Sequence, residues 1–396
     1  MIPRYAQRMA RVQPSAIGEL LALGADPSVM SFGGGYPDAS LFPADRLETI
    51  FRDILRAPGG AAMQYAPSDG LPHLRAQIAA LMAADGTACS AEEVLILQGS
   101  QQGLDLAARM LIDPGDVIVT EDPTFLGALI AFAPSQPEYA VVPVDGEGMQ
   151  TDRLAAVLRD TPRARLIYTV PDFQNPTGVT LSLERRHRLI ELVNRHDLIV
   201  LEDTPYRHIR FAGESLPTLK SLDTEGRVIH LGSFSKVLVP ALRVGWAVAA
   251  PELIRRLGLL KVAADTQTST LNMAAASLYL DRHDLMEHVA TLRRAYARKK
   301  DAMLDAIRRH FPQDIAVTDP EGGLFTWATF PEGFDATAFM RDVALPQARV
   351  AYVPGESFFP LTPRPNHARF NFSAQPEATI EAGIAALGRA LRSAAS

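Results

Sequence analysis

Lys236 closes the run Gly232-Ser233-Phe234-Ser235-Lys236, and Arg243 follows seven residues later. Apolar stretches flank the run on both sides, residues 228–231 before it and 244–249 after it, so this lysine is not covering a wet helix face. Two serines and an arginine are the donors that a phosphate needs. An amine held among apolar neighbours has its pKa lowered, which makes it an imine-forming nucleophile. Taken alone, the segment also fits a loop lysine beside an N-cap serine.

Three further segments could join it. Residues 198–202 are an apolar run ending in Glu202-Asp203, with Tyr206 three positions on. Tyr168 to Gly178 contains Phe173-Gln174-Asn175-Pro176-Thr177-Gly178, by itself only a turn signal. Gln98-Gly99-Ser100-Gln101 opens a helix whose free N–H groups suit an anion. Read singly, Tyr206 is an amphipathic core tyrosine, Arg243 a surface ion-pair residue and Arg369 an edge-strand arginine. Their coincidence carries the argument.

The elements that must position these residues follow from periodicity. Residues 45–56, 71–84, 101–111 and 183–195 read as helices; 94–97, 117–120, 165–169, 198–202, 228–231 and 244–249 read as short apolar strands. Strands spaced by helices predict crossovers and a mostly parallel sheet, with its ligand site outside the strand C-termini. A single long helix is expected over 274–309, then strands at 325–328, 350–353 and 368–373 and a last helix over 376–392, a smaller α+β unit.

Composition bounds the class. The 396 residues carry a formal charge of −6 and 47% hydrophobic residues, which fits a globular chain and argues against nucleic acid or an acidic membrane surface as partner. No apolar run is long enough for a transmembrane helix. The lone Cys89 excludes an internal disulfide or a Cys-rich zinc site and reads as a reducing, cytoplasmic compartment. The acid-free start, residues 1–18, reads as a structural arm rather than a targeting segment. Only five of the 39 basic residues are lysines; Lys220 and Lys261 read as surface or helix residues, Lys299 and Lys300 as a solvated helix face. Lys236 alone lies at a strand end.

Jointly, Asn-Pro-Thr-Gly, Asp203-x-x-Tyr206, Ser233-x-Ser235-Lys236 with Arg243, and Arg369 in Ala-Arg-Phe-Asn-Phe resemble the fold type I pyridoxal-5′-phosphate enzymes, and within them the class I/II aminotransferases. The wording Phe32-Gly33-Gly34-Gly35 and Phe-Gln-Asn-Pro-Thr-Gly is similar to the branch holding 2-aminoadipate, kynurenine and broad aromatic or branched-chain aminotransferases. The resemblance implies an α/β, aspartate aminotransferase-like fold with a mostly parallel seven-stranded sheet. It divides the chain into an arm at 1–45, a large cofactor domain at 46–285 and a small domain at 286–396.

It also implies roles. Lys236 would hold the pyridoxal 5′-phosphate cofactor and shuttle a proton, Asp203 would pair with the pyridine nitrogen, and Asn175 and Tyr206 would bond its phenolic oxygen. Phe125 would stack on the ring. Ser100, Gln101, Ser233, Ser235 and Arg243 would take the phosphate, with Tyr65 reaching across a homodimer to the partner's phosphate. Arg369 would bind the substrate carboxylate, with Asn175, Gly34 and Gly35 beside it. Aligning Ser15-Ala16-Ile17 with the family's mobile helix puts Gly18 where relatives acting on acidic substrates keep an arginine. That favours neutral aliphatic or aromatic donors, unless Arg11 supplies the charge, with 2-oxoglutarate or pyruvate as acceptor. The same fold serves decarboxylases, lyases, racemases and oxidases. Related domains also sense ligands in transcription regulators behind an N-terminal winged helix, for which motifs beginning at Ser31 leave no room.

Overall fold

The structure, a computed structural model, describes residues 4–12, 26 and 28–394. Eight strands form its main sheet: β1 Val94–Leu97, β2 Val117–Asp122, β3 Glu138–Asp145, β4 Gly148–Met149, β5 Ala164–Thr169, β6 Ile199–Asp203, β7 Val228–Ser233 and β8 Gly245–Val248. Their spatial order is β1-β8-β7-β6-β5-β2-β3-β4. The contiguous pairs from β3 through β2, β5 and β6 to β7 are parallel, whereas β8 runs against both β7 and β1.

The expected seven strands therefore gain an eighth, a two-residue antiparallel extension of β3 at the sheet edge. The strand at 138–145 is absent from those that periodicity predicts. Its mixed Glu-Tyr-Ala-Val-Val-Pro-Val-Asp composition and partial exposure hide the apolar run that marks the inner strands.

Inner strands are buried on both faces, which is why they read as continuous apolar runs. Alternation then sorts their side chains. Ile118, Leu166, Tyr168, Leu201 and Ile229 enter one core cluster, while Val119, Ile167, Val200 and Val228 enter another with Leu189 and Val193 of helix Leu183–His196. Glu202 and Asp203 likewise part to opposite faces. Glu202 accepts the Leu219 and Lys220 N–H groups and pairs with His230 at 2.9 Å, so only Asp203 is left for the cavity.

The single long helix expected over 274–309 is two helices, Thr270–Arg282 and Leu285–His310. Asp284 separates them by accepting the N–H groups of Met286 and Glu287, the N-cap bonds that start a new helix. A four-stranded antiparallel sheet follows, ordered Ala316–Val317, Phe325–Thr329, His367–Asn371, Val353–Pro354. The strand expected at 350–353 is divided between two sheets: Val350–Ala351 pairs instead with Met30–Ser31. Helix Glu377–Ala394 covers this region. Among the described residues no helix is long and apolar enough to cross a membrane.

Candidate active site

Five inner strands deliver their ends to one edge of the sheet, and a cavity of about 330 Å³ opens there. Because β8 is reversed, it presents its first residue at this edge while its neighbours present their last. The cavity lining includes Ser100, Gln101, Phe125, Asn175, Asp203, Tyr206, Ser233, Ser235, Lys236, Arg243 and Arg369, together with the segment Gly33-Gly34-Gly35-Tyr36-Pro37. Every site residue expected from the sequence is thus brought together except Tyr65, which is 81% exposed and lies elsewhere. Gly18 and its surroundings fall outside the described residues, as does the side chain of Arg11.

One end of the cavity is built for an anion. Ser100 and Gln101 open helix Ser100–Leu111, so their N–H groups have no preceding helical carbonyl to bind. The Gln101 side chain is turned away to the Gly127 carbonyl at 2.7 Å, which leaves its backbone as the donor. Arg243 reaches Ser235 Oγ at 3.3 Å and the Gln98 carbonyl at 3.4 Å, while Ser233 Oγ donates to Ser235 Oγ at 2.9 Å. Gly99, at φ 72°, admits this packing: a Cβ there would lie 2.4 Å from Arg243 Nη2. Gly245 is equally constrained, because its Cβ would stand 2.6 Å from the Ser100 nitrogen.

Asp203 is buried at the end of β6, the strand beside β7. Tyr168 donates to its Oδ2 at 3.1 Å, whereas its Oδ1 is buried with no partner among the described residues. Burial raises the carboxyl to about 7, against the Tyr168 bond and the nearby His230. A buried acceptor left unmade costs about 1–3 kcal/mol, so Oδ1 is where an added donor would gain most.

The amine and a second guanidinium line the same cavity. Lys236 Nζ donates to the Gly35 carbonyl at 2.7 Å. Burial, with the charges of Arg369 and Arg243, lowers its pKa to about 8. Arg369 donates to Asn175 Oδ1 at 2.8 Å and to the Gly33 carbonyl at 2.7 Å. Its guanidinium lies over the rings of Phe325 and Phe358 at 4.2 and 5.2 Å, and its Nε is buried. Burial lowers its pKa to about 10, which leaves it protonated at neutral pH with Nε an unused donor among the described residues. Asn175 uses its other end to donate to Tyr206 Oη at 3.3 Å, whose pKa burial pushes up to about 12. Phe125 lines the cavity at the start of helix Leu126–Phe132.

A model of the aminotransferase class I and II family matches residues 33–387. The chain belongs to the class I and II aminotransferases. It is 39% identical over 393 residues to aromatic-amino-acid aminotransferase 1 of Thermococcus litoralis, covering 98% of this chain and 94% of that one. It is 38% identical over 391 residues to the 2-aminoadipate transaminase of Thermus thermophilus, covering 98% and 96%. Among solved structures, the kynurenine aminotransferase of Pyrococcus horikoshii superposes with a TM-score of 0.94 at 35% identity, covering 99% and 98% of the two chains. The aspartate aminotransferase-like α/β fold and the branch expected from the motifs are both met.

Several supporting residues of this aminotransferase carry no clear mark in the sequence. Tyr168 reads there only as a strand residue; its place one strand over from Asp203 depends on sheet order. Glu121, at the end of β2, is buried and raised to about 7 by burial, though Thr169, Gln174 and Val170 all donate to it. Gln174 also accepts from Thr177, at 2.9 Å from its N–H and 2.6 Å from its hydroxyl. Asp172, held by Arg186 at 2.7 Å and Arg207 at 3.1 Å, pins the same loop from behind. The Asp-Phe-Gln wording before Asn175 is the available signal.

Two lysines are more buried than a surface reading expects, although Lys261 does lie on a helix, Pro251–Asp265, as expected. Lys299 is not on a solvated face: it is 7% exposed and binds Asp38 and the Ser373 carbonyl. Lys261 is fully buried against Asp265 and Gln102. Both lie on the inward side of their helices.

Proposed function

We propose that this aminotransferase uses pyridoxal 5′-phosphate to move the amino group of a neutral aliphatic or aromatic L-amino acid to a 2-oxo acid, 2-oxoglutarate or pyruvate, in two half-reactions. The observation that carries the reading is that Asp203, Arg369 and a low-pKa amine, Lys236, line one cavity with an anion cradle, and that Asp203 Oδ1 and Arg369 Nε are buried with no partner among the described residues. A protonated pyridine nitrogen supplies the donor for Asp203, and a phosphate suits Ser100, Gln101, Ser233, Ser235 and Arg243. The residues present fit the cofactor.

When bound, the cofactor supplies an electron sink for the charge that develops at the substrate Cα. Lys236 Nζ would hold the cofactor and, once free as an amine, would act as the base that takes the proton from the substrate Cα. Asp203, whose pKa is raised by burial, keeps the ring nitrogen protonated by pairing with it. Tyr206 Oη and Asn175 Nδ2 hold the phenolic oxygen. Arg369 binds the α-carboxylate, with Asn175 beside it and the backbone of Gly34 and Gly35 closing above; Phe125 stacks on the ring.

The charged residues lining the cavity, among those described, are Asp203, Lys236, Arg243 and Arg369, and each has a role already. Tyr36, Leu126, Val353 and Phe358 remain to receive the substrate side chain, which supports an uncharged one. The helix break at Asp284 supports dividing the chain into the arm 1–45, a cofactor domain 46–285 and a small domain 286–396. Tyr65 supports a homodimer. Its backbone is held on both sides, by Thr270 to the Gln64 carbonyl at 2.9 Å and by the Ala66 N–H to Gln267 at 2.5 Å, while the side chain points out, placed to complete a partner's phosphate site.

The deciding experiment adds single amino acids to the holoenzyme and follows loss of the pyridoxal absorbance, gain of the pyridoxamine absorbance and release of the matching 2-oxo acid. Neutral donors should convert it. If 2-aminoadipate is the best donor, the assignment of a neutral substrate fails; if no amino acid converts it, transamination fails.

A further inference from the structure

The glycine-rich segment 33–38 passes over the cavity as a strap, and its two ends are tied to the same part of the molecule. At the start, Met30–Ser31 pairs with Val350–Ala351, and the Phe32 N–H donates to the Ala351 carbonyl at 2.7 Å. At the far end the Asp38 N–H donates to Tyr296 Oη at 3.1 Å and its carboxylate accepts from Lys299 Nζ at 2.5 Å. Tyr296 and Lys299 are three residues apart on helix Leu285–His310, one above the other on its buried face. Lys299 also donates to the Ser373 carbonyl at 2.9 Å, and Ser373 Oγ donates to the Tyr36 carbonyl at 2.7 Å.

Between these anchors the strap is held by the two cations of the active site, Arg369 on the Gly33 carbonyl and Lys236 on the Gly35 carbonyl. Lys236 must release its hold when it engages the cofactor, and Arg369 must re-aim when a carboxylate arrives. What then keeps the far end of the strap at its height, the start being held by Phe32, is the Asp38–Lys299 pair with its Tyr296 and Ser373 neighbours. A buried ion pair is a poor device for stability, since apolar residues of the same volume often serve as well. Its geometric definition is what a methionine could not supply here: a carboxylate and a carbonyl are fixed by one ammonium.

We propose that Lys299 is a positioning residue for substrate binding, acting through Asp38 to hold the strap over the cavity. The inference rests on the aminotransferase reading, because strap height matters only if an amino acid binds beneath it. In the holoenzyme, Lys299→Met raises KM for the amino donor by about tenfold with kcat changed by less than about threefold. The cofactor absorbance is unchanged, and Lys299→Arg recovers part of the KM. Independently of turnover, amide hydrogen exchange within 33–38 accelerates in Lys299→Met before any substrate is added. An unchanged KM in a variant that still holds cofactor, or unchanged exchange in 33–38, overturns the proposal. If Lys299→Met does not fold, Asp38→Asn takes its place: a raised KM and faster exchange in 33–38 support the proposal, and no change in either overturns it. A wild-type enzyme without any half-reaction sinks the proposed function instead, and leaves the exchange result standing.

Discussion

Asp203 and Lys236 are both displaced from their ordinary ionisation by burial, in opposite directions and to opposite ends. In the proposed reading Asp203 would pair with the ring nitrogen, and its replacement by Ala would remove the charge that keeps that nitrogen protonated. Asp203→Ala should lower kcat by at least about 100-fold, the scale expected when a group stabilising developing charge is lost, while retaining some cofactor by absorbance. Near-normal turnover in that variant would count against the assignment. Lys236, lowered to about 8, is largely a free amine by pH 9. The rate at which apoenzyme takes up cofactor should therefore rise with pH to a midpoint near 8, well below an ordinary lysine. A midpoint above pH 10 would remove the basis for calling this amine activated.

The strand ends and helix starts are where sequence and structure agree most closely. Residues 94–97 and the edge from 98 to 101 are legible because inner strands are continuously apolar, and the strands expected at 198–202 and 228–231 are found one and two residues longer at their polar ends, at Asp203 and Ser233. Gly245 shows what is not legible. Its importance lies in β8 running backwards beside helix Ser100–Leu111, and chain direction within a sheet leaves no local trace. Gly245→Ala drives a Cβ against the Ser100 nitrogen, so the anion cradle must open. Cofactor affinity should fall by about tenfold or more, read by absorbance titration, with little change in substrate KM at saturating cofactor. The break at Asp284 is hidden for a related reason: the apolar periodicity of the two helices is continuous, and only the cap bonds end one and begin the next. Tyr168 and Glu121 escape a reading by spacing because their partners come from neighbouring strands, a matter of sheet order.

On the scale of the whole molecule, the active site burdens the apoprotein with buried acids. Glu121 and Asp203 are each raised to about 7 by burial, so between about pH 4 and 7 each binds a proton in the folded state that it would release when unfolded. Their contribution to stability is fully present below the unfolded pKa and is lost as pH rises through about 7. Glu121→Gln should flatten the fall in apoprotein stability across this window, measured by denaturant unfolding at pH 4.5 and 7.5; an identical slope in both proteins would show that Glu121 does not titrate there.

Anchorage of the 33–38 strap sets how a substrate gets in. A segment fastened at one end swings as a flap, but this one is fastened at its start to Val350–Ala351 and, through the Phe32 carbonyl that accepts from the Asn371 N–H at 2.8 Å, to the strand His367–Asn371, and at its far end to the helix Leu285–His310. Its middle has no independent degree of freedom large enough to clear the cavity, so opening must carry those strands and that helix with it. Entry is then gated by one collective motion on the microsecond-to-millisecond scale of moving units rather than by the nanosecond fluctuation of a loop. Relaxation-dispersion measurements should find Gly35 and Ala368 exchanging at a common rate, and two unrelated rates would mean that the strap opens by itself.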